Sequence, residues 1–73
     1  MAETKVRSEV AGSVWKVQVK PGDQIAEGDE LFILESMKME IPVSAERAGT
    51  VKTVLVKEGE QVAEDQVLAT LEG

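Results

Sequence analysis

The stretch Ala11-Gly12-Ser13-Val14-Trp15-Lys16-Val17-Gln18-Val19-Lys20-Pro21-Gly22-Asp23-Gln24-Ile25-Ala26-Glu27 decides the fold, because the chain contains it twice. Displaced by 37 positions, it meets Ala48-Gly49-Thr50-Val51-Lys52-Thr53-Val54-Leu55-Val56-Lys57-Glu58-Gly59-Glu60-Gln61-Val62-Ala63-Glu64. The register continues through Leu31/Leu68, Leu34/Leu71 and Glu35/Glu72, and about half of the positions in 11–35 and 48–72 are identical without a gap. Stacked repeats need three or more units to bury a continuous core. Two copies in so short a chain predict a closed body with pseudo-twofold symmetry.

Each copy reads as strands. Trp15-Lys16-Val17-Gln18-Val19 alternates apolar and polar residues with period two, and Val54 and Val56 repeat the phase of Val17 and Val19. Lys20-Pro21-Gly22-Asp23 has Pro at i+1 and Gly at i+2, the signature of a type II turn, and Lys57-Glu58-Gly59-Glu60 repeats it without the proline. Asp65 stands where the first copy has Gly28, and aspartate tolerates the left-handed conformation that glycine adopts freely. No stretch carries helical periodicity with caps. Strands are expected near residues 4–10, 13–20, 30–36, 39–45, 50–57 and 66–72, with short bridges near 24–25 and 61–62. The expectation is an all-β fold, a flattened barrel or sandwich of two four-stranded antiparallel sheets, forming one domain over residues 1–73. Closure removes the exposed sheet edges that so small a β protein could not otherwise hide. Its core is expected to hold Val17, Val19, Ile25, Leu31, Ile33, Val54, Val56, Val62, Leu68 and Leu71, with Trp15 packed on the core or its rim; the alternative for Trp15 is a partner contact.

Composition limits the chemistry. The 73 residues include no histidine and no cysteine, which removes the commonest general base, the commonest metal ligand and every thiolate. An autonomous enzyme is therefore not expected. Fourteen acids against eight bases give a formal net charge of -6, which disfavours nucleic acid and anionic membrane surfaces. The longest apolar run, Leu31-Phe32-Ile33-Leu34, is far short of a membrane span, and Met1 to Arg7 holds no secretory h-region. A cytoplasmic, monomeric domain is the expectation.

Between the copies lies Ser36-Met37-Lys38-Met39-Glu40-Ile41-Pro42-Val43-Ser44-Ala45-Glu46-Arg47. A strand must run in through Glu35 and out from Glu40, so the chain reverses at Met37-Lys38. A two-residue hairpin favours a type I′ turn, with positive φ at both central residues and normally Asn-Gly in those places. Met37-Lys38 is a poor choice on local energetics. A residue pair that breaks a local rule without structural gain is a candidate functional position. A lysine at a hairpin tip is ordinarily a solvated charge, and methionines near a strand end ordinarily fill an uneven core. Here Met37 and Met39 stand astride Lys38 at an exposed tip, where paired methionines make an adaptable recognition surface. Glu35 and Glu40 frame them with negative charge.

Glu35-Ser36-Met37-Lys38-Met39-Glu40 resembles the attachment motif of biotinyl domains, in the biotin/lipoyl attachment family, where a lysine between two methionines carries biotin through an amide. Ser36 departs from the alanine common in that motif, one small residue for another. The resemblance covers Val10 to Glu72, including the duplicated half-domain and its central lysine. It implies a flattened barrel with Lys38 on an exposed β-turn, and covalent biotin on Lys38 as cofactor. It implies recognition by a biotin protein ligase through Met37 and Met39, with Glu35, Ser36 and Glu40 contributing. Carboxyl transfer between biotin carboxylase and carboxyltransferase components follows from it. The protruding thumb of some carrier domains has no room in the gapless match of Pro21–Leu34 to Glu58–Leu71. A lipoyl carrier with lipoate on Lys38 shares the fold, but commonly shows Asp-Lys-Ala where this chain has Met37-Lys38-Met39. An unmodified structural module of the kind found in membrane-fusion proteins would interrupt the halves with a helical hairpin, which is missing between Glu35 and Glu40.

Overall fold

The computed structural model describes residues 3–73. Eight strands follow in order: β1 (Glu3–Arg7), β2 (Gly12–Val17), β3 (Gln24–Ile25), β4 (Glu30–Ser36), β5 (Met39–Ser44), β6 (Gly49–Val54), β7 (Gln61–Val62) and β8 (Val67–Glu72). They form two four-stranded antiparallel sheets, β1-β8-β6-β3 and β5-β4-β2-β7. Adding 37 to every residue number turns β2, β3 and β4 into β6, β7 and β8, and carries β1 onto β5. The operation exchanges the sheets, so the repeat is a pseudo-twofold axis.

The links between sheets obey the same symmetry. Val51 N–H donates to the Asp23 carbonyl and Gly22 N–H to the Val51 carbonyl; Val14 N–H donates to Glu60 and Gly59 N–H to Val14. The Ala45 backbone clamps Asp29 and Gly28 as the Ser8 backbone clamps Gln66 and Asp65. Four turns close by one local device, a side-chain oxygen accepting from the backbone N–H three residues earlier: Asp23 from Lys20, Asp29 from Ala26, Glu60 from Lys57 and Gln66 from Ala63. The turn glycines Gly22 and Gly59 have φ of 97° and 89°, as the type II signature requires. Asp65 holds φ 71° where Gly28 holds 90°.

The core comprises Val6, Val14, Ile25, Leu31, Phe32, Leu34, Ala45, Val51, Val56, Val62, Leu68, Ala69 and Leu71. Val17, Val19 and Val54, expected inside, are only partly buried against it. Strict alternation fails for a reason seen in the ladders. The β2–β4 register shifts between Val14 and Lys16, and the β6–β8 register shifts between Val51 and Thr53, each a bulge with one extra residue. Val14 and Val51 therefore point inward, while Trp15, expected at the core or its rim, lies outside and 49% exposed. A third shift, between Glu30 and Phe32, lets consecutive Leu31 and Phe32 both enter the core. Ile33 is left on the outer face of its sheet.

Symmetry also sets the poles. Gly12 opens β2 beside Glu35 and Ser36, at the end of the hairpin β4–β5. From there β2 runs away from the hairpin tip, pairing Ser13 with Glu35 and finally Val17 with Phe32, and the chain continues to Gly22, bonded to Val51. Val51 lies two residues from the start of β6, where Gly49 meets Glu72. The paired ends of β1 and β8 (Glu3 opposite Glu72) thus occupy the pole opposite the hairpin tip, on a body 36 × 17 × 17 Å.

Candidate functional site

The tip is built by the ladder beneath it. β4 and β5 pair in register as Leu34/Ile41, Glu35/Glu40 and Ser36/Met39, which leaves two residues, Met37 and Lys38, to reverse the chain. Their φ angles are 53° and 65°, the two positive values of a type I′ turn. Neither residue is glycine, asparagine or aspartate, and an L-residue pays about 1–2 kcal/mol to enter this region. The ladder enforces the conformation. Lys38 is exposed, Met37 is 93% exposed and Met39 is 64% exposed, so neither thioether fills the core.

Two contacts brace the base of the tip. The Ser36 hydroxyl donates to the Ala11 carbonyl at 2.9 Å, tying β4 to the start of β2. Gly12 presses its Cα against the strand feeding the tip. A Cβ there would fall inside contact distance of the Glu35 carbonyl oxygen and 3.3 Å from Ser36 Cβ. The sequence identifies Ser36 as a small residue and Gly12 as a turn or close-approach position, which the seating against Glu35 bears out, but it gives no role to Ala11. Only the β2–β4 register brings Ala11 and Gly12 beneath Lys38.

Glu35 and Glu40, expected to flank the lysine, are opposed across the ladder on the outer face of the sheet, and both are exposed. Like charges directly opposite repel. The symmetry-related positions hold the same pair, Glu3 opposite Glu72. There Lys52 intervenes, with its ammonium 3.1 Å from a Glu3 carboxylate oxygen. The Lys52 pKa is raised by that hydrogen bond first, then by the charges of Glu3 and Glu72, slightly opposed by desolvation. Among the described residues no such cation pairs with Glu35 or Glu40: the position equivalent to Lys52 is Trp15.

Among the described residues no group of three or more histidine, cysteine or carboxylate side chains is placed to hold a metal. The most enclosed cleft, about 90 Å³ between β1 and β5, is lined by Val6, Val10, Leu34, Val43 and Leu71 among others. Two larger clefts, about 560 Å³ beside Arg7, Glu46 and Asp65 and about 370 Å³ beside Gln18, Asp23 and Asp29, are open, shallow and lined mostly by charged and polar side chains. No helix in the described residues is long and apolar enough to cross a membrane. The chemistry that the arrangement can support is that of one solvated primary amine on a stiff turn.

Comparison with known proteins agrees with this geometry. The model of a family described as "Biotin-requiring enzyme", Biotin_lipoyl, matches residues 3–71. A biotin/lipoyl attachment protein of Bacillus subtilis is 63% identical over 38 residues, 52% of this chain and 52% of that one. A biotinylated protein TB7.3 homolog of Mycolicibacterium smegmatis is 65% identical over 43 residues, 59% of each chain. The chain thus spans between half and two thirds of the length of these relatives. Among solved structures, the urea carboxylase of Kluyveromyces lactis superposes with a TM-score of 0.91 at 32% identity, covering 99% of this chain and 6% of that one.

Proposed function

The chain belongs to the Biotin_lipoyl family of biotin-requiring enzymes, and from that membership we propose that it is a biotin carrier whose attachment point is Lys38. One observation supports the assignment most directly: a lysine held at a strained, solvent-facing I′ turn between two exposed methionines. Only the neutral amine is a nucleophile, so Lys38 must give up a proton to a base before it can be acylated. With no histidine in the chain, the base must come from elsewhere. A biotin protein ligase supplies it. The ligase joins the biotin carboxylate to ATP, releasing pyrophosphate and forming the biotinyl adenylate. The neutral Lys38 amine then attacks the acyl carbon; the C–N bond forms, the bond from that carbon to the AMP oxygen breaks, and the amine proton passes to the ligase's base.

The loaded ureido group then exchanges carboxylate between a biotin carboxylase and a carboxyltransferase. The cofactor carries the group-transfer chemistry and the protein supplies delivery. The lysine and biotin chains together reach on the order of 10–15 Å at ordinary bond lengths. Tethering gives effective concentrations of about millimolar. A rigid body with one flexible arm avoids the ordering cost that a floppy carrier would meet at each docking.

Co-expression with a biotin protein ligase tests the reading. Intact mass should rise by one biotinyl group, and the formal net charge should pass from -6 to -7. Lys38→Ala and Lys38→Arg should fold normally and stay unmodified, because guanidinium keeps its proton. A lipoyl increment, or no increment while a control domain is modified in parallel, rejects the assignment.

A further inference from the structure

The duplicated architecture contains its own control. Both outer faces answer to the same backbone, so a difference between them is not demanded by the fold. On the sheet β1-β8-β6-β3, the third row below the end of the ladder carries Lys52, Thr53, Thr70 and Lys5, and the hydroxyls of Thr53 and Thr70 bond across it. On the sheet β5-β4-β2-β7, the equivalent positions carry Trp15, Lys16, Ile33 and Pro42. Trp15 is 49% exposed, and the Lys16 ammonium lies 5.8 Å from its ring centroid, so both side chains face outward. Pro42 is exposed and Ile33 half-buried on that face. Above this row, apolar apart from Lys16, stand Glu35 and Glu40, which among the described residues have no ion pair like that of Lys52 with Glu3.

We infer that the outer face formed by Trp15, Ile33 and Pro42, together with Glu35 and Glu40, is the docking surface for the enzyme that acylates Lys38. The inference rests on the carrier reading above. The occupant follows from reach. The row lies three residues below the last pair of the hairpin, about 10 Å at ~3.4 Å per residue. A bare lysine extends only about 6 Å from its Cα at ordinary bond lengths. A ligase must therefore close over the tip itself, and its footprint extends onto the strands beneath. A carboxylase component meets a loaded arm of 10–15 Å and can stay farther away. Charge gives the chemistry of the partner: an apolar depression that receives the indole, edged by Lys or Arg positioned for Glu35 and Glu40. Unpaired acids beside an exposed tryptophan fit that complement, since interface anchors are enriched in Trp and steering comes from rim charge.

The test exchanges each residue for its own symmetry mate, which the fold already accommodates. Trp15→Lys, Ile33→Thr and, as a reciprocal control, Lys52→Trp are assayed as substrates of a purified biotin protein ligase with biotin and ATP. Trp15→Lys should lower kcat/KM for biotinyl transfer by about 10–30-fold, the scale of an interface tryptophan, chiefly through KM. Trp15→Phe should recover most of the rate. The melting temperature of Trp15→Lys should stay at or above that of the parent, because the new ammonium faces two unpaired acids; a tryptophan serving only the fold would lower it. Wild-type transfer should slow with added salt, and Glu35→Gln with Glu40→Gln should flatten that dependence. Transfer to Trp15→Lys within twofold of wild type overturns the docking surface, as does a defect seen only in carboxyl transfer by preloaded protein. Failure of the wild-type chain to accept biotin at all overturns instead the carrier reading beneath it.

Discussion

At the residue scale, positive φ separates function from fold. Among the described residues three other than glycine hold it: Met37, Lys38 and Asp65. Asp65 has a structural reason, since Gly28 occupies the equivalent turn and the Ser8 carbonyl accepts the Asp65 N–H. Asp65→Gly should raise stability by about 0.5–1 kcal/mol, a few degrees in Tm for a domain this size, and leave acylation unchanged. Met37→Gly should stabilise by a similar amount, yet slow ligase turnover, because the relieved strain comes with loss of the thioether. Thermal melts and single-turnover acylation of both variants separate the two effects. The lysine was legible from sequence because Met37-Lys38 breaks the turn preference while the flanking strands still demand a reversal. A close approach at Gly12 and a partner contact at Trp15 are readable as possibilities, but their place beneath the tip or on its flank, and any role for Ala11, are not, because pairing between distant strands sets them.

At the element scale, bulges explain what alternation missed. The apolar positions of β2 were taken in one phase from Trp15 to Val19, but the extra residue at Trp15 turns Val14 inward and the indole outward. Nothing in the local pattern marks that slip, whereas the turn chemistry at Gly22, Gly59 and Asp65 was readable residue by residue. The number and order of strands and the two four-stranded sheets follow from the repeat, whereas which strands pair does not; strand ends differ by a few residues, β1 stopping at Arg7 and β6 at Val54. Gly12 shows how tightly β2 seats against β4. Gly12→Ala should cost about 1–3 kcal/mol, the range for overpacking, and displace Ser36 from Ala11. Chemical denaturation together with backbone amide shifts at residues 35–40 would register both consequences. A fully stable variant with unmoved tip resonances would show that β4 can yield.

At the scale of the whole molecule, one ion pair ties the lower pole, Lys52 to Glu3. Its linkage has a definite sign. The folded pKa of Lys52 is raised, so the group contributes stability that is fully present below the unfolded value of about 10.4 and is lost as pH rises through the folded value. The contribution is small, as expected of an exposed pair. The difference in melting temperature between wild type and Lys52→Gln should be constant from about pH 6 to 9 and shrink above about pH 10.4. A difference that vanishes nearer neutrality would place the effect on another group.

The opposed poles also fix how the body bears load. Glu3 and Glu72 sit side by side at one end of the 36 Å axis, so a pull that separates the two ends of the chain peels β1 from β8 pair by pair, like a zipper. A pull between the lysine and either end instead runs along the strands, and every ladder resists it in shear. Drawn by its arm against its own anchorage, the scaffold is stressed along its stiffest direction.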